Sequence, residues 1–400
     1  MRIILLTWAA GENDPFSYFN EQFRAQLAAL DHEVYIVPLD ELTGDTLRAI
    51  STIARIDLIF TWQGLGSAIG NEATGRTLWE ELDVPLICLH GDHPCYNPAN
   101  HQQYSRHVLH VYLVESFARD ANRLVPREFP ALFDALPNFF TAPEQRPAFS
   151  GEYFVLPKNF TDPVETRRAW REQCDDATYR LLCDAADAIE QAYRNGSPRD
   201  HHDVTLDLLP ASIQERVRAG DADRATADLV FRYWRELDHL YRNIASAFVL
   251  ETLCDVPVHV YGRGWERFEA KGNPLHRFQP ADRLGSNDLQ FGSAWGIIDI
   301  APINKSLHDR TLRAMRRGAG FILSSDWRRG ELIHDEFPDL FYGGTTGELV
   351  AKAQHVIEDP SAHRNQVHDF CEAFDAAYKM HDFVERMRLR AIDRGLSLCS

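Results

Sequence analysis

Apolar and polar positions follow two alternating rhythms along much of the chain. Short apolar runs of strand length, at 2–8, 33–38, 57–62, 85–90 and 107–114, are separated by stretches of helical spacing at 18–30, 46–53, 72–82 and 117–124. Strands that alternate with helices predict a parallel sheet with right-handed crossovers and helices on both faces. The same rhythm resumes at Val256, with a strand at 258–261, short strand and helix pieces near Arg277–Phe278 and at 289–291, and an apolar run at 296–302. That run leads through a polar turn into a helix over 310–317, which Gly318 and Gly320 end before another buried strand at 321–325, a second βαβ pattern. A helix at 348–357 follows a short strand at 340–342.

Two stretches break the alternation. Residues 126–160 are rich in proline and phenylalanine but poor in Gly and Ser, the composition of a packed irregular connection; they end in a strand-like 152–157, followed by Lys158, for which a surface place is preferred over one facing a cleft. From 163 to 251 the spacing is helical, at 164–173, 178–194, 213–219 and 226–250, with His201 and His202 in a polar loop between. The last amphipathic stretch, 362–391, puts Phe370, Phe374, Tyr378, Phe383 and Met387 on one face, a core stripe.

The turn of the second βαβ pattern carries chemistry. Ligands of open α/β sheets sit outside the carboxyl ends of the strands, and a helix N-terminus favours an anion there. Ser306 offers a hydroxyl, and Lys305 and Arg310 bring positive charge. The order Ser306-Leu307-His308-Asp309-Arg310, continuing to Ala314-Met315 and Gly318-Ala319, resembles the donor-binding motif of GT-B glycosyltransferases, closest to the spore-maturation-protein-like branch. That resemblance implies two Rossmann-like doubly wound domains and a nucleotide-sugar diphosphate held at this turn, with Arg310 as its charge partner. It also implies that the strand end Gly262-Arg263-Gly264-Trp265 opens the donor domain. In one respect the chain departs from the pattern. The family's usual glutamate three residues after the arginine is Arg313 here, which leaves the ribose contact and the nucleotide open.

Loops at strand ends in the first half supply acceptor-side candidates. Gly11 permits close backbone approach, and Glu12 has the chemistry of a general base. His90-Gly91-Asp92-His93 follows another strand, where the family the chain resembles often carries an Asp-Asp-Pro-like segment facing the cleft; that resemblance makes Asp92, or one of its flanking histidines His90 and His93, the second candidate base. Histidines and a carboxylate at this spacing also suit a divalent ion, but so short a cluster supplies only two or three ligands, and no metal is assigned. Residues 63–70 do not keep the glycine spacing of a dinucleotide loop.

Composition narrows the partners. A balance of 42 basic against 59 acidic residues, −17 at pH 7, disfavours nucleic acid and anionic membranes. No run approaches the length of a membrane span, and seven scattered cysteines without a CxxC pair fit a reducing cytoplasm.

The expectation is therefore an α/β protein of two Rossmann-like doubly wound domains, at 1–160 and 253–360, with a helical insertion at 161–252 and a terminal segment, 361–400, crossing back to the first domain. By resemblance it is a metal-independent glycosyltransferase without cofactor. Its donor site would comprise Gly262, Arg263, Gly264, Ser306, Leu307, His308, Asp309 and Arg310. Its base would be Asp92 or Glu12, and its acceptor a glycan, lipid-linked sugar, protein or small molecule. A sugar-nucleotide epimerase, or a degenerate scaffold that only binds, would share this layout.

Overall fold

A computed structural model describes residues 1–8, 15–39, 56–71, 73–101, 105–124, 128–141, 151–195, 200–280, 291–300, 307–322, 336–342 and 345–396. The chain forms two compact units: Met1–Thr141 with Arg216–Asp228 and Asp375–Ser400, and Ala142–Glu215 with Leu229–Phe374.

The first unit holds a six-stranded sheet. Its strands are β1 (Arg2–Thr7), β2 (Glu33–Pro38), β3 (Leu58–Trp62), β4 (Leu86–His90), β5 (Val108–Tyr112) and β6 (Leu132–Phe133), in the order β2-β1-β3-β4-β5-β6. Every pairing is parallel. The continuous apolar runs follow from burial on both faces, as in β3, β4 and β5, where every residue is buried. The sheet reverses direction at β1, so the loops after β1 and β3 lie at its switch point. Buried Asn20, on the Pro15–Ala28 helix, ties those two strand ends together: it donates to the Leu6 carbonyl at 3.0 Å and accepts from the Trp62 indole at 2.8 Å. Phe139 and Phe140 pack against Phe19 on the same helix, so the proline-rich connection is a core element there.

The Met380–Asp393 helix buries Phe383, Val384 and Met387 in this unit. Its Arg386 grips the buried Asp134 carboxylate with two hydrogen bonds, 3.1 and 2.8 Å, and Arg390 reaches it at 3.1 Å. Removing the acid would leave two partly buried guanidiniums facing each other. Asp134→Ala is expected to cost about 2–3 kcal/mol in urea denaturation; a loss below about 0.5 kcal/mol would mean solvent already screens the cluster.

The second sheet contains β7 (Phe154–Pro157), β8 (Val258–Tyr261), β9 (His276–Gln279), β10 (Gly296–Ile298) and β11 (Phe321–Ile322), in the order β9-β8-β7-β10-β11, all parallel. This corrects the sequence-based boundary at 160. The 152–157 strand pairs with β8 and β10 and is the centre of the second sheet. A lone apolar run states that it will be buried, not which distant strand will bury it. The switch point of this sheet lies between β7 and β10.

Other elements differ locally from expectation. The helix read over 72–82 is confined to Leu78–Leu82, because Thr77 and Glu80 form a reciprocal capping box that starts it there. A small antiparallel pair, Gly70–Asn71 with Arg76–Thr77, precedes it. His201 and His202, read as loop, open the His201–Leu208 helix, where the Asp200 carboxylate accepts from the His202 amide at 2.9 Å. The long final run divides into Pro360–Ala377 and Met380–Asp393. The helix read at 46–53 lies outside the described residues.

Candidate functional site

The carboxyl ends of β7, β8 and β10 lead to Lys158, to Arg263 and to the helix start that carries Arg310. Lys158 follows β7 directly; its amide donates to the Tyr261 carbonyl at 3.0 Å, and its own carbonyl accepts from the Trp265 indole at 2.7 Å. The neighbouring Asn159 carboxamide oxygen accepts from the Arg263 amide at 3.0 Å. On the Arg224–Thr252 helix, Asn243 accepts from the Thr161 amide at 3.1 Å. The loop carrying Lys158 is thus pinned at both ends.

Gly262 and Gly264 explain how this loop fits. A Cβ at Gly262 would stand 2.1 Å from the Lys158 carbonyl oxygen, and one at Gly264 1.9 Å from that of Phe160. Gly264 also has φ of +87°, a left-handed conformation that glycine alone adopts without strain. The two glycines therefore let one strand-end loop lie on another. Arg263, between them, is exposed.

Lys158 is half-buried, not a surface residue. Burial foremost, then the Arg242 and Arg310 guanidiniums, push its ammonium down to about 7, against the pull of Asp238 and Asp299. At neutral pH it is a cation poised to lose its proton.

Arg310 lies in the first turn of the Asp309–Arg316 helix. His308 is its N-cap, with Nδ1 facing the Arg310 amide at 3.4 Å and the Asp309 carboxylate at 3.0 Å. The helix is tied to the end of β10 by a 2.7 Å hydrogen bond from the Thr311 hydroxyl to buried Asp299. Leu307 is buried beneath the turn. Burial raises the Asp309 carboxyl, but His308, Arg313 and Arg310 outweigh it and hold the group well below the usual carboxylate range. Arg313 is 4% exposed; it pairs with Asp309 at 3.1 Å and lies over the Phe291 ring. It serves as an internal brace of the helix start and is not presented to a ribose. Ser306 lies outside the described residues.

In the first unit, Asp92 is exposed, and the Gln63 side-chain amide donates to its carboxylate at 2.9 Å. Gln63 itself has φ of +55°, and its carbonyl accepts from Asn100 at 3.1 Å, so the loop after β3 aims the loop after β4. His90 and His93, beside Asp92 in sequence, are buried at 0% and 1% exposure. His93 Nδ1 accepts from the Cys95 amide at 3.1 Å, and its other ring nitrogen lies 3.6 Å from Asp120. Of the acceptor-side candidates described, Asp92 alone presents its side chain to solvent. Gly11 and Glu12 lie outside the described residues.

Sequence reasoning preferred a surface place for Lys158 over one in the cleft and passed over Gln63. The signal for Lys158 was present in the two glycines, whose close approach could be to a neighbouring loop as well as to a ligand.

No protein-family model matches the chain, and no curated protein matches it in sequence. Solved structures do. The DNA-modifying enzyme β-glucosyltransferase, solved in the presence and absence of uridine diphosphoglucose, aligns with TM-score 0.52 at 9% identity, over 98% of this chain and 99% of that one. An α-glucosyltransferase in complex with UDP and a 13-mer DNA aligns with TM-score 0.54 at 8% identity, over 98% and 99%. At such identities the likeness is one of fold: two Rossmann-like parallel α/β units of the GT-B class, as the resemblance implied.

Proposed function

We propose that this protein is a glycosyltransferase that takes its sugar from a nucleoside-diphosphate donor held at the switch point of the second sheet. One observation carries the reading. Lys158 follows β7, Arg310 opens the helix tied to the end of β10, and the guanidinium is near enough to help push the ammonium down. Breaking the bond between the anomeric carbon and the leaving oxygen adds negative charge to the diphosphate. Two cations and the positive end of the helix dipole stabilise that charge most in the transition state, without a metal ion. Ser306 and the exposed Arg263 complete the donor side. The motif's likeness to the spore-maturation-protein-like branch supports the same placement. With Arg313 committed to Asp309, the ribose contact falls to other groups.

If the anomeric centre inverts, the acceptor hydroxyl needs a base, and Asp92, steadied by Gln63, has the exposure and the chemistry for it. The first of these solved structures is a DNA-modifying enzyme and the second holds a 13-mer DNA, but a net charge of −17 disfavours a phosphate backbone here and keeps the proposed acceptor among glycans, lipid-linked sugars, proteins and small molecules. Among the described residues no helix is long and apolar enough to cross a membrane. No disulfide joins the described cysteines, in keeping with the proposed reducing compartment such as the cytoplasm.

A thermal-stability panel of nucleoside diphosphates, with and without magnesium, tests the donor site on wild type and Arg310→Ala. A diphosphate at about a thousandfold over its Kd adds roughly 4 kcal/mol to wild type by mass action. The expected result is a shift with one nucleotide, indifferent to magnesium and lost in Arg310→Ala. No shift with any nucleotide would overturn the assignment and favour a scaffold.

A further inference from the structure

Beneath the Asp92 loop the first unit buries a cluster that the donor chemistry leaves unused. Cys88 and His90 are two apart on β4 and so share a face; in register across β5 they meet His110 and Tyr112. The Cys88 sulfur and one nitrogen from each histidine all lie within 4.8 Å of one another. Exposure is 0% for Cys88 and His90 and 3% for His110. His90 Nε2 and His110 Nδ1 are 2.9 Å apart and share a proton between the strands. The His101 ring, from the Pro98–His101 turn, covers His90 at 4.2 Å between centroids, and Tyr112 flanks it at 4.7 Å.

We propose that Cys88, His90 and His110 form a closed three-ligand site for a soft d10 transition-metal cation, with monovalent copper the best match. The donor set argues the class. One thiolate and two imidazoles, with no carboxylate oxygen among them, suit copper(I) or zinc and reject magnesium and calcium. Charge argues the ion. A thiolate and two neutral imidazoles around copper(I) make a neutral complex, whereas around zinc they leave a net positive charge, and burying a charge is costly. Metal–nitrogen and metal–sulfur bonds of about 2.0 and 2.3 Å place trigonal ligand atoms about 3.5 Å apart. The histidine nitrogens therefore separate by about half an ångström as the cation takes the place of their shared proton, which shifts to the other nitrogen of the ring that carried it, and the sulfur draws in. Binding converts the Cys88 thiol to thiolate and releases its proton to solvent. With His101 and Tyr112 closing it, the site stitches β4 to β5 directly under the Asp92 loop. It is structural, and it stands whether or not the donor-site reading does.

The test uses the full-length protein, reduced and stripped of metal with a chelator under anaerobic conditions. Copper(I) is titrated against a bathocuproine competitor and zinc against a chromophoric chelator, for wild type, Cys88→Ser and His110→Gln. The expected result is one equivalent of copper(I), bound at least about a hundredfold more tightly by wild type than by either variant. X-ray absorption on the loaded wild type guards against a variant that merely misfolds, and should show one sulfur and two nitrogen ligands. Stoichiometric binding that survives in Cys88→Ser, a ligand shell without sulfur, or no binding of either ion would overturn the proposal.

Discussion

Replacing Lys158 with methionine is expected to weaken nucleoside-diphosphate binding about ten- to a hundredfold at pH 6, the 1.5–3 kcal/mol typical of a hydrogen bond to a charged group. Methionine keeps the length and apolar stem of lysine, so the loop should still pack. The pH dependence is the sharper signature. With its ammonium pushed down to about 7, Lys158 in the free protein is charged below that pH and increasingly neutral above it. An anion prefers the charged form, so above pH 7 binding must be preceded by proton uptake. Wild-type affinity should then fall by up to tenfold per pH unit, while Lys158→Met should show no such decline. The unliganded protein provides the converse check. A lysine whose folded value is lowered binds fewer protons folded than unfolded between about pH 7 and its ordinary 10.5, so it makes stability rise with pH across that window, a gain lost as pH falls back through 7. That slope should be shallower in Lys158→Met. Calorimetric titrations at pH 6, 7, 8 and 9 decide the matter: a wild-type affinity flat across that range would remove Lys158 from the site.

Gly264→Ala should be the most damaging single-methyl change in the second unit, at about 2–4 kcal/mol. Two effects add. The left-handed φ of +87° strains any residue with a Cβ, and the Cβ itself would lie 1.9 Å from the Phe160 carbonyl oxygen, a backbone atom that no rotamer change can move. Gly272 separates the effects, because it has φ of +67° but nothing within 4 Å of its Cβ position. Gly272→Ala should therefore lose only the strain component, about 1–2 kcal/mol. Since relief of the clash displaces the loop that positions Lys158, Gly264→Ala should also weaken diphosphate binding. Urea denaturation of both variants checks the first part; equal losses at Gly264 and Gly272 would show that the close approach costs nothing.

The Arg313 position shows how a motif can be legible and yet incompletely read. Its place in the helix follows from spacing, and the helix stands where that spacing puts it. That the side chain turns inward, onto Asp309 and the Phe291 ring, depends on a residue one helical turn back and on another that precedes β10. His90 behaves likewise. In sequence its neighbours are Gly91 and Asp92, and it reads with them as an exposed loop; in the fold its neighbours are Cys88, His101 and His110, and it is core.

By itself, the sequence determined the α/β class, the positions of most strands and helices, and the turn bearing Asp309 and Arg310. Each of these rests on periodicity, capping or turn chemistry, and such properties are settled within a dozen neighbouring residues. The tertiary structure alone decided that 154–157 is the central strand of the second sheet, and hence that Lys158 emerges at its switch point. It also decided that Gly262 and Gly264 make room for another loop, and that Cys88 and His90 face His110. Strand pairing and burial are set by partners more than a hundred residues away, as Gly296 is from Phe154, and no local pattern of hydrophobicity encodes which partner that will be.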